Sequence, residues 1–261
     1  ARAQRGRGAA CGRSFALALS LAACTQAPAP APPVAAELAG RAAVRADHTH
    51  LFDPGDRPRL WWPADAPPLR LRCRVGQRPV VPPQAADGQR LAVTDLAPCA
   101  GLTALEAVDS QGRIRARWAA ALRPQAPAPT AAVQEARAHM QAGDLAAAEA
   151  AWVTAAEEAA GQRLASLAAR WRLSAAWCAE QGHRLQAMAE HTQAAERLRA
   201  GLADPQGLAA LHYTQANLAR RLGDFRAARR RYAAAAAAFH RFQMAGAAAM
   251  TAIAALRSGA G

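Results

Sequence analysis

Asn217-Leu-Ala-Arg-Arg-Leu-Gly-Asp-Phe-Arg-Ala-Ala228 is the stretch that decides how this chain is read. Its glycine turn, Gly223-Asp224-Phe225, recurs upstream as Gly143-Asp144-Leu145 and as Gly182-His183-Arg184-Leu185, so that the glycines stand at positions 143, 182 and 223. After each Gly come a small residue at the fifth position, a bulky one at the ninth and Ala at the twelfth. These are Ala148, Trp152 and Ala155, then Ala187, His191 and Ala194, then Ala228, Tyr232 and Ala235. Seven positions before each Gly stands another Ala (Ala136, Ala175, Ala216). Small residues at these places let antiparallel helices approach closely, and the bulky residue fills the gap to the next pair. A generic Ala-rich helix bundle is the plainer alternative.

The pattern over 130–261 resembles the tetratricopeptide repeat (TPR), in a long-helix form rather than the common one of about 34 residues. About three repeats and a partial fourth are expected, and Asp204-Pro205 opens the third as an N-cap followed by a first-turn Pro. Departures from the family pattern are His191 where an aromatic is usual, and Ala132 and His139 in place of the opening-helix Trp and Tyr. The resemblance implies that the first helix of each repeat lines a concave groove in which extended peptides or partner helices lie. On that phasing Arg137, Met140, Arg172, Tyr213, Asn217 and Arg220 face the groove, a set suited to a peptide backbone or an acidic side chain. The plainer reading makes Asn217 a hydrogen-bonding partner of its neighbouring helix and Met140 a core residue. The run Arg226, Arg229, Arg230, Arg231 reads as a solvated outer face. A fourth opening helix over about 245–257 would leave Met250 and Ile253 facing water, and the expectation is that the natural chain continues past Gly261.

Working upstream, Arg123-Pro-Gln-Ala-Pro-Ala-Pro-Thr130 marks a change of hydrophobic period, with a Pro-rich linker at 123–129. Residues 37–122 read as strands. Leu69, Leu71, Cys73 and Val75 alternate with Arg70, Arg72 and Arg74, and Ile114, Ala116 and Trp118 alternate with Arg113, Arg115 and Arg117. Asp109-Ser110-Gln111-Gly112 reads as the turn of a hairpin, and further strands are expected near 41–47, 58–62 and 89–94. Six or seven short strands in about 85 residues favour a small β-sandwich, immunoglobulin-like. The expected fold class is therefore α+β and multidomain: a small all-β sandwich followed by an α-helical TPR solenoid.

The N-terminal segment carries Arg2, Arg5, Arg7 and Arg13, then an apolar run from Phe15, then Leu21-Ala22-Ala23-Cys24. This is the layout of a secretory signal over 1–23, and the final four residues resemble the bacterial lipobox. The resemblance implies lipid attachment at Cys24, a Pro/Ala-rich tether over 24–36 and, with Thr25 next to the Cys, the outer membrane facing the periplasm. The chain does not begin with Met, which suggests a fragment or a misassigned start. No apolar run reaches the roughly 18 residues that span a bilayer. All 32 basic residues are Arg against 19 acids, and the formal charge of +13 falls to +9 without residues 1–23. An exported Arg-rich surface meets anionic lipid, polymer or acidic protein segments rather than nucleic acid. Of five cysteines, Cys11 leaves with the signal, Cys24 is lipidated and Cys178 is unpaired. Cys73 and Cys99 are the candidates for a disulfide once exported, the alternative being two buried thiols.

No catalytic constellation is legible. Asp47-His48-Thr49-His50 with Asp53 lacks a third close ligand, and Asp53-Pro54-Gly55-Asp56 is explained by a turn, so no metal is expected. Cys178, His139 and His191 fall at phases where the repeat buries its residues, which argues against a Cys/His pair. Phosphate loops, G-x-S-x-G and H-E-x-x-H are absent from the sequence. The expectation is a non-enzymatic, cofactor-free lipoprotein that docks a protein or peptide at the cell envelope. One alternative, resting on arrangement alone, is the front of a longer protein ending in a caspase-like CHAT protease domain. Another is a cell-wall or glycan-binding module presenting Trp61 and Trp62.

Overall fold

In the computed structural model, which describes residues 34–261 apart from 41–42, 46, 54, 124–129, 243–244 and 259–261, ten short strands precede seven helices. The signal segment, Cys11, Cys24, most of the tether and the Pro-rich run 124–129 lie outside the described residues. The strands are β1 (Glu37–Ala39), β2 (Ala43–Val44), β3 (His50–Phe52), β4 (Arg59–Trp61), β5 (Arg70–Val75), β6 (Arg78–Val80), β7 (Gln84–Asp87), β8 (Arg90–Val93), β9 (Leu102–Val108) and β10 (Ile114–Leu122). They form two sheets, β1-β4-β8-β7 and β2-β3-β10-β9-β5-β6, antiparallel except where β10 runs parallel to β3.

The alternation of residues 69–75 is an inside–outside pattern. Leu69, Leu71 and Cys73 are buried while Arg70, Arg72 and Arg74 point away from the core. Leu38, Leu60, Leu91 and Val93 of the first sheet meet Phe52, Leu71, Leu105 and Ala120 of the second in one apolar cluster. Cys73 and Cys99 are joined by a disulfide that closes this core from the side. The outer face of the larger sheet is not simply solvated: Glu106 is fully buried there, ringed by Arg72 at 2.8 Å, Arg74 at 3.2 Å and Arg117 at 3.7 Å. A lone carboxylate would not tolerate that position.

Three expectations for this region need correction. Ten strands form rather than six or seven, because β6 (Arg-Pro-Val) and β7 (Gln-Ala-Ala-Asp) are edge strands with no alternation of their own. Ile114 is 40 % exposed instead of facing the core, since the β9–β10 register slips between Ile114 and Ala116. Trp62 is 2 % exposed and Trp61 lies under the Arg241 guanidinium, 5.1 Å from its ring centre, so neither indole forms an open platform.

The helices are α1 (Ala131–Ala142), α2 (Leu145–Gly161), α3 (Ala165–Gln181), α4 (Leu185–Arg199), α5 (Pro205–Arg221), α6 (Phe225–Arg241) and α7 (Ala245–Arg257). Thr130, Asp144, Asp204 and Asp224 cap α1, α2, α5 and α6 by accepting from backbone N–H groups three residues on. Each helix packs against the next, and α3 also reaches α5.

The helix starts correct the period. Leu145, Leu185 and Phe225 open α2, α4 and α6, and Ala165, Pro205 and Ala245 open α3, α5 and α7, so both series advance by the same constant interval where the glycines do not. Gly143 and Gly223 adopt left-handed φ values of +78° and +82°, but in the middle turn that role passes from Gly182 to His183, at +57°. The phase read from Gly182 is therefore one position early. Met188, Thr192 and Ala195 are buried in place of Ala187, His191 and Ala194, which are only half-buried. His139 is half-buried too.

The described residues form one compact unit, so the strands dock on the helices. The Val44 amide donates to Ser166 Oγ on α3 at 2.5 Å, Arg241 pairs with Glu37 at 3.2 Å, and Arg59 donates to the Phe242 carbonyl. Arg90 lies 3.4 Å from the His240 ring.

Candidate functional site

The constant helix period puts Arg137, Trp177 and Asn217 at one position of α1, α3 and α5, and Met140, Glu180 and Arg220 one turn further along. Arg137 is exposed, Trp177 is 43 % exposed, and Asn217 and Arg220 are half-buried. Phasing by glycine misses Trp177, because it puts that indole one position out of line. Aligning helix starts instead of glycines finds it.

Across α3, α5 and α6 these side chains make a buried polar cluster. Asn217 Nδ2 donates to Glu180 at 3.0 Å, and the Tyr232 hydroxyl donates to Asn217 Oδ1 at 2.5 Å. Arg221 and Arg220 stand 3.3 and 3.6 Å from the same carboxylate. Tyr213 meets Tyr232 edge to face at 5.7 Å between ring centres. Burial pushes the Tyr232 hydroxyl above its usual range, with Arg220 opposing. Asn217 therefore does bind its neighbouring helix, yet this network also fixes the rotamers of the half-exposed Tyr213 and Arg220 beside it.

The other groove candidates are placed apart from this cluster. Arg172 pairs with Glu157 at 3.3 Å, and Met140 Sδ accepts from Trp152 Nε1 at 3.3 Å. Trp152 in turn stacks on Trp171 at 4.9 Å. Arg137 lines a cavity of about 360 Å³ where α1, α2 and α3 meet the strands, with Val133, Ala155 and Trp171 as its apolar wall. Asp53 and Arg123, joined by two hydrogen bonds of 2.9 and 3.0 Å, form its polar end. No described residue pairs with Arg137. The six side chains thus occupy three places rather than one continuous stripe.

Elsewhere the chemistry is structural. Glu149 on α2 accepts from Arg184 at 2.5 Å and stands 3.0 Å from His191 on α4. Burial and the Glu149 charge push the nearby Cys178 thiol up, the reverse of what an attacking thiolate needs. His48 is exposed in a left-handed turn while His50 is buried beside Phe52, so the two imidazoles do not share a face. Among the described residues no group of three or more His, Cys, Asp or Glu is placed to hold a metal ion. No described helix is long and apolar enough to cross a membrane. Comparison with protein-family models, with curated proteins and with solved structures gives no match to this chain.

Proposed function

We propose that the chain is an exported, lipid-anchored, non-enzymatic scaffold whose helical half is a TPR-type solenoid and whose two sheets form a β-sandwich seated against it. The lipobox at Leu21–Cys24 supports the anchor, and the uniform helix period supports the solenoid. One observation carries the docking role. Successive first helices offer an unpaired cation, an open indole and a fixed amide at the same position, Arg137, Trp177 and Asn217, with the Arg220 guanidinium one turn beyond the last. Aromatic and Arg side chains on a rigid frame are the residue types that dominate binding energies at protein surfaces. The ligand this set favours is a peptide with an acidic side chain or C-terminal carboxylate for Arg137 and an apolar residue for Trp177.

Photo-cross-linking from position 181, exposed one turn beyond Trp177 on α3, in intact envelopes tests it. A partner captured by the parent should be lost in R137E and W177A variants that melt at the parent temperature. An unchanged partner set in both variants overturns the reading. Fatty-acid labelling of the parent but not of Cys24→Ser tests the anchor separately.

A further inference from the structure

Register places Arg70, Arg72 and Arg74 of β5, Glu106 and Val108 of β9, and Ile114 and Arg117 of β10 on the outer face of the larger sheet. At the hairpin end of that face Asp109 gathers Arg113 at 2.8 Å and Arg115 at 3.8 Å. Both carboxylates, Glu106 and Asp109, are buried. The Arg117 and Arg113 side chains are 59 % and 51 % exposed, and Arg70 is exposed with no partner among the described residues. Six guanidinium groups over two covered carboxylates leave a surplus of four positive charges, and it is the cations that meet the solvent. β5 and β10 stand about 10 Å apart across β9, so these charges cover a plane instead of lining a groove.

The two sheets share one core, so their outer faces point in opposite directions. Glu37, Arg59, Trp61 and Arg90 of the smaller sheet meet Arg241, Phe242 and His240 at the end of α6. The cationic face is therefore turned away from α6. The chain also enters the folded unit at the cationic sheet. The Val34 amide donates to the Arg115 carbonyl at 3.1 Å, on the edge of β10 that β3, pairing from Ala120 onward, leaves open. Ten residues separate Val34 from Cys24, and fully extended they reach at most about 36 Å. An acylated Cys24 holds this end of β10 within that distance of the bilayer. The residues outside the described set include no Asp or Glu, so none of them neutralises the face.

We infer that the outer face of the larger sheet rests on an anionic bilayer, with the free guanidinium N–H groups of Arg70, Arg113 and Arg117 on lipid phosphates and Ile114 among the headgroups. A plane of one sign fits a headgroup layer of the other, and each cation held near such a surface adds to the attraction. Glu106 and Asp109 hold the guanidinium groups they bind in place without presenting negative charge to the lipid. The inference rests on the lipid-anchor reading above for bringing the chain to a membrane, and adds which side of the molecule lies down on it. The helices then project away from the bilayer, where a docking partner reaches them.

The test uses the chain from residue 24 onward, which holds every described residue, with Cys24→Ser so that no acyl chain contributes. It should sediment with phosphatidylcholine vesicles containing about 30 % phosphatidylglycerol, not with phosphatidylcholine alone, and should be released by about 0.5 M salt. R70E/R117Q should raise the lipid concentration for half-binding at least about tenfold, whereas R226E/R229Q, the same charge change on α6, should leave it within about twofold. Melting curves matching the parent establish that both variants are folded. A second readout alters no Arg: a polarity-sensitive dye at Ile114→Cys should brighten on these vesicles, and the same dye at Leu222→Cys, at the other end of α6 from the strands, should not. The inference is overturned by no binding to the anionic vesicles, by equal losses in the two double variants, or by a dye response at 222 and not at 114. Tighter binding to polyglutamate than to vesicles of equal charge also overturns it, in favour of an acidic protein segment. Because the assay omits the acyl chain, its failure leaves the anchor reading standing, and a negative fatty-acid label leaves the vesicle result standing.

Discussion

Tyr232 and Asn217 show how much one buried hydroxyl asks of its surroundings. The Tyr ring fills the space between α5 and α6, and its O–H must find an acceptor there. Asn217 supplies it and passes its own donor to Glu180, whose charge is matched by Arg220 and Arg221. Asn217→Ala removes the middle of this chain and should cost about 2–3 kcal/mol, read as a shift in denaturant midpoint, whereas Tyr232→Phe should cost about 1 kcal/mol. His50 is the opposite case: a buried ring whose Nε2 has no partner among the described residues. Burial lowers its pKa, with Asp204 opposing and His48 adding to the shift. Between that lowered value and the ordinary one near 6.5, the unfolded chain binds a proton that the folded chain does not. Stability is therefore full above about pH 6.5 and falls as the solution is acidified. His50→Leu should flatten the drop in melting temperature between about pH 7.5 and pH 5.5. Neither role is readable in the sequence, because a buried partnerless ring and a shared carboxylate leave no spacing signature.

Among the elements, the helices are legible almost throughout and the strands only where they are central. Alanine spacing and Asp caps announce α2, α5 and α6, while β5 and β9 show in their alternation or apolar run. Edge strands β6 and β7 leave no such trace, since their pairing is imposed by neighbours. The middle repeat is mis-phased when glycine serves as the turn marker, because the left-handed residue there is His183. The caps are unequal in consequence. Asp144 and Asp224 only terminate a helix, and replacement of either by Ala should cost about 1 kcal/mol. Asp204 also holds the buried Arg199 guanidinium at 2.9 Å, so Asp204→Ala strands a cation and should cost about 3–5 kcal/mol. Thermal denaturation of the three single variants, with Asp204→Ala melting far below the other two, checks this ordering. The same guanidinium occupies the space beside Gly207, where any added methyl would collide with it.

At the scale of the whole molecule, the sequence announces two halves but not their contact. Hydrophobic period reports how an element faces its own core. It says nothing of the isolated pairs, Val44 with Ser166, Glu37 and Trp61 with Arg241, and Arg59 with Phe242, that seat strands on helices. Arg241 holds both Glu37 and Trp61, so removing it should loosen the strands from the helices without unfolding either half. Arg241→Ala is expected to split a single calorimetric transition into two, and retention of one transition at the parent midpoint would refute the coupling. Trp61 makes that event visible without any added label. A guanidinium seated over an indole excludes water from one side of the ring, and its departure leaves the ring wetter and its emission redder. Separation of the strand and helix halves, whether driven by acid, by a variant or by a ligand wedged between them, should therefore register as a change of colour in the protein's own light.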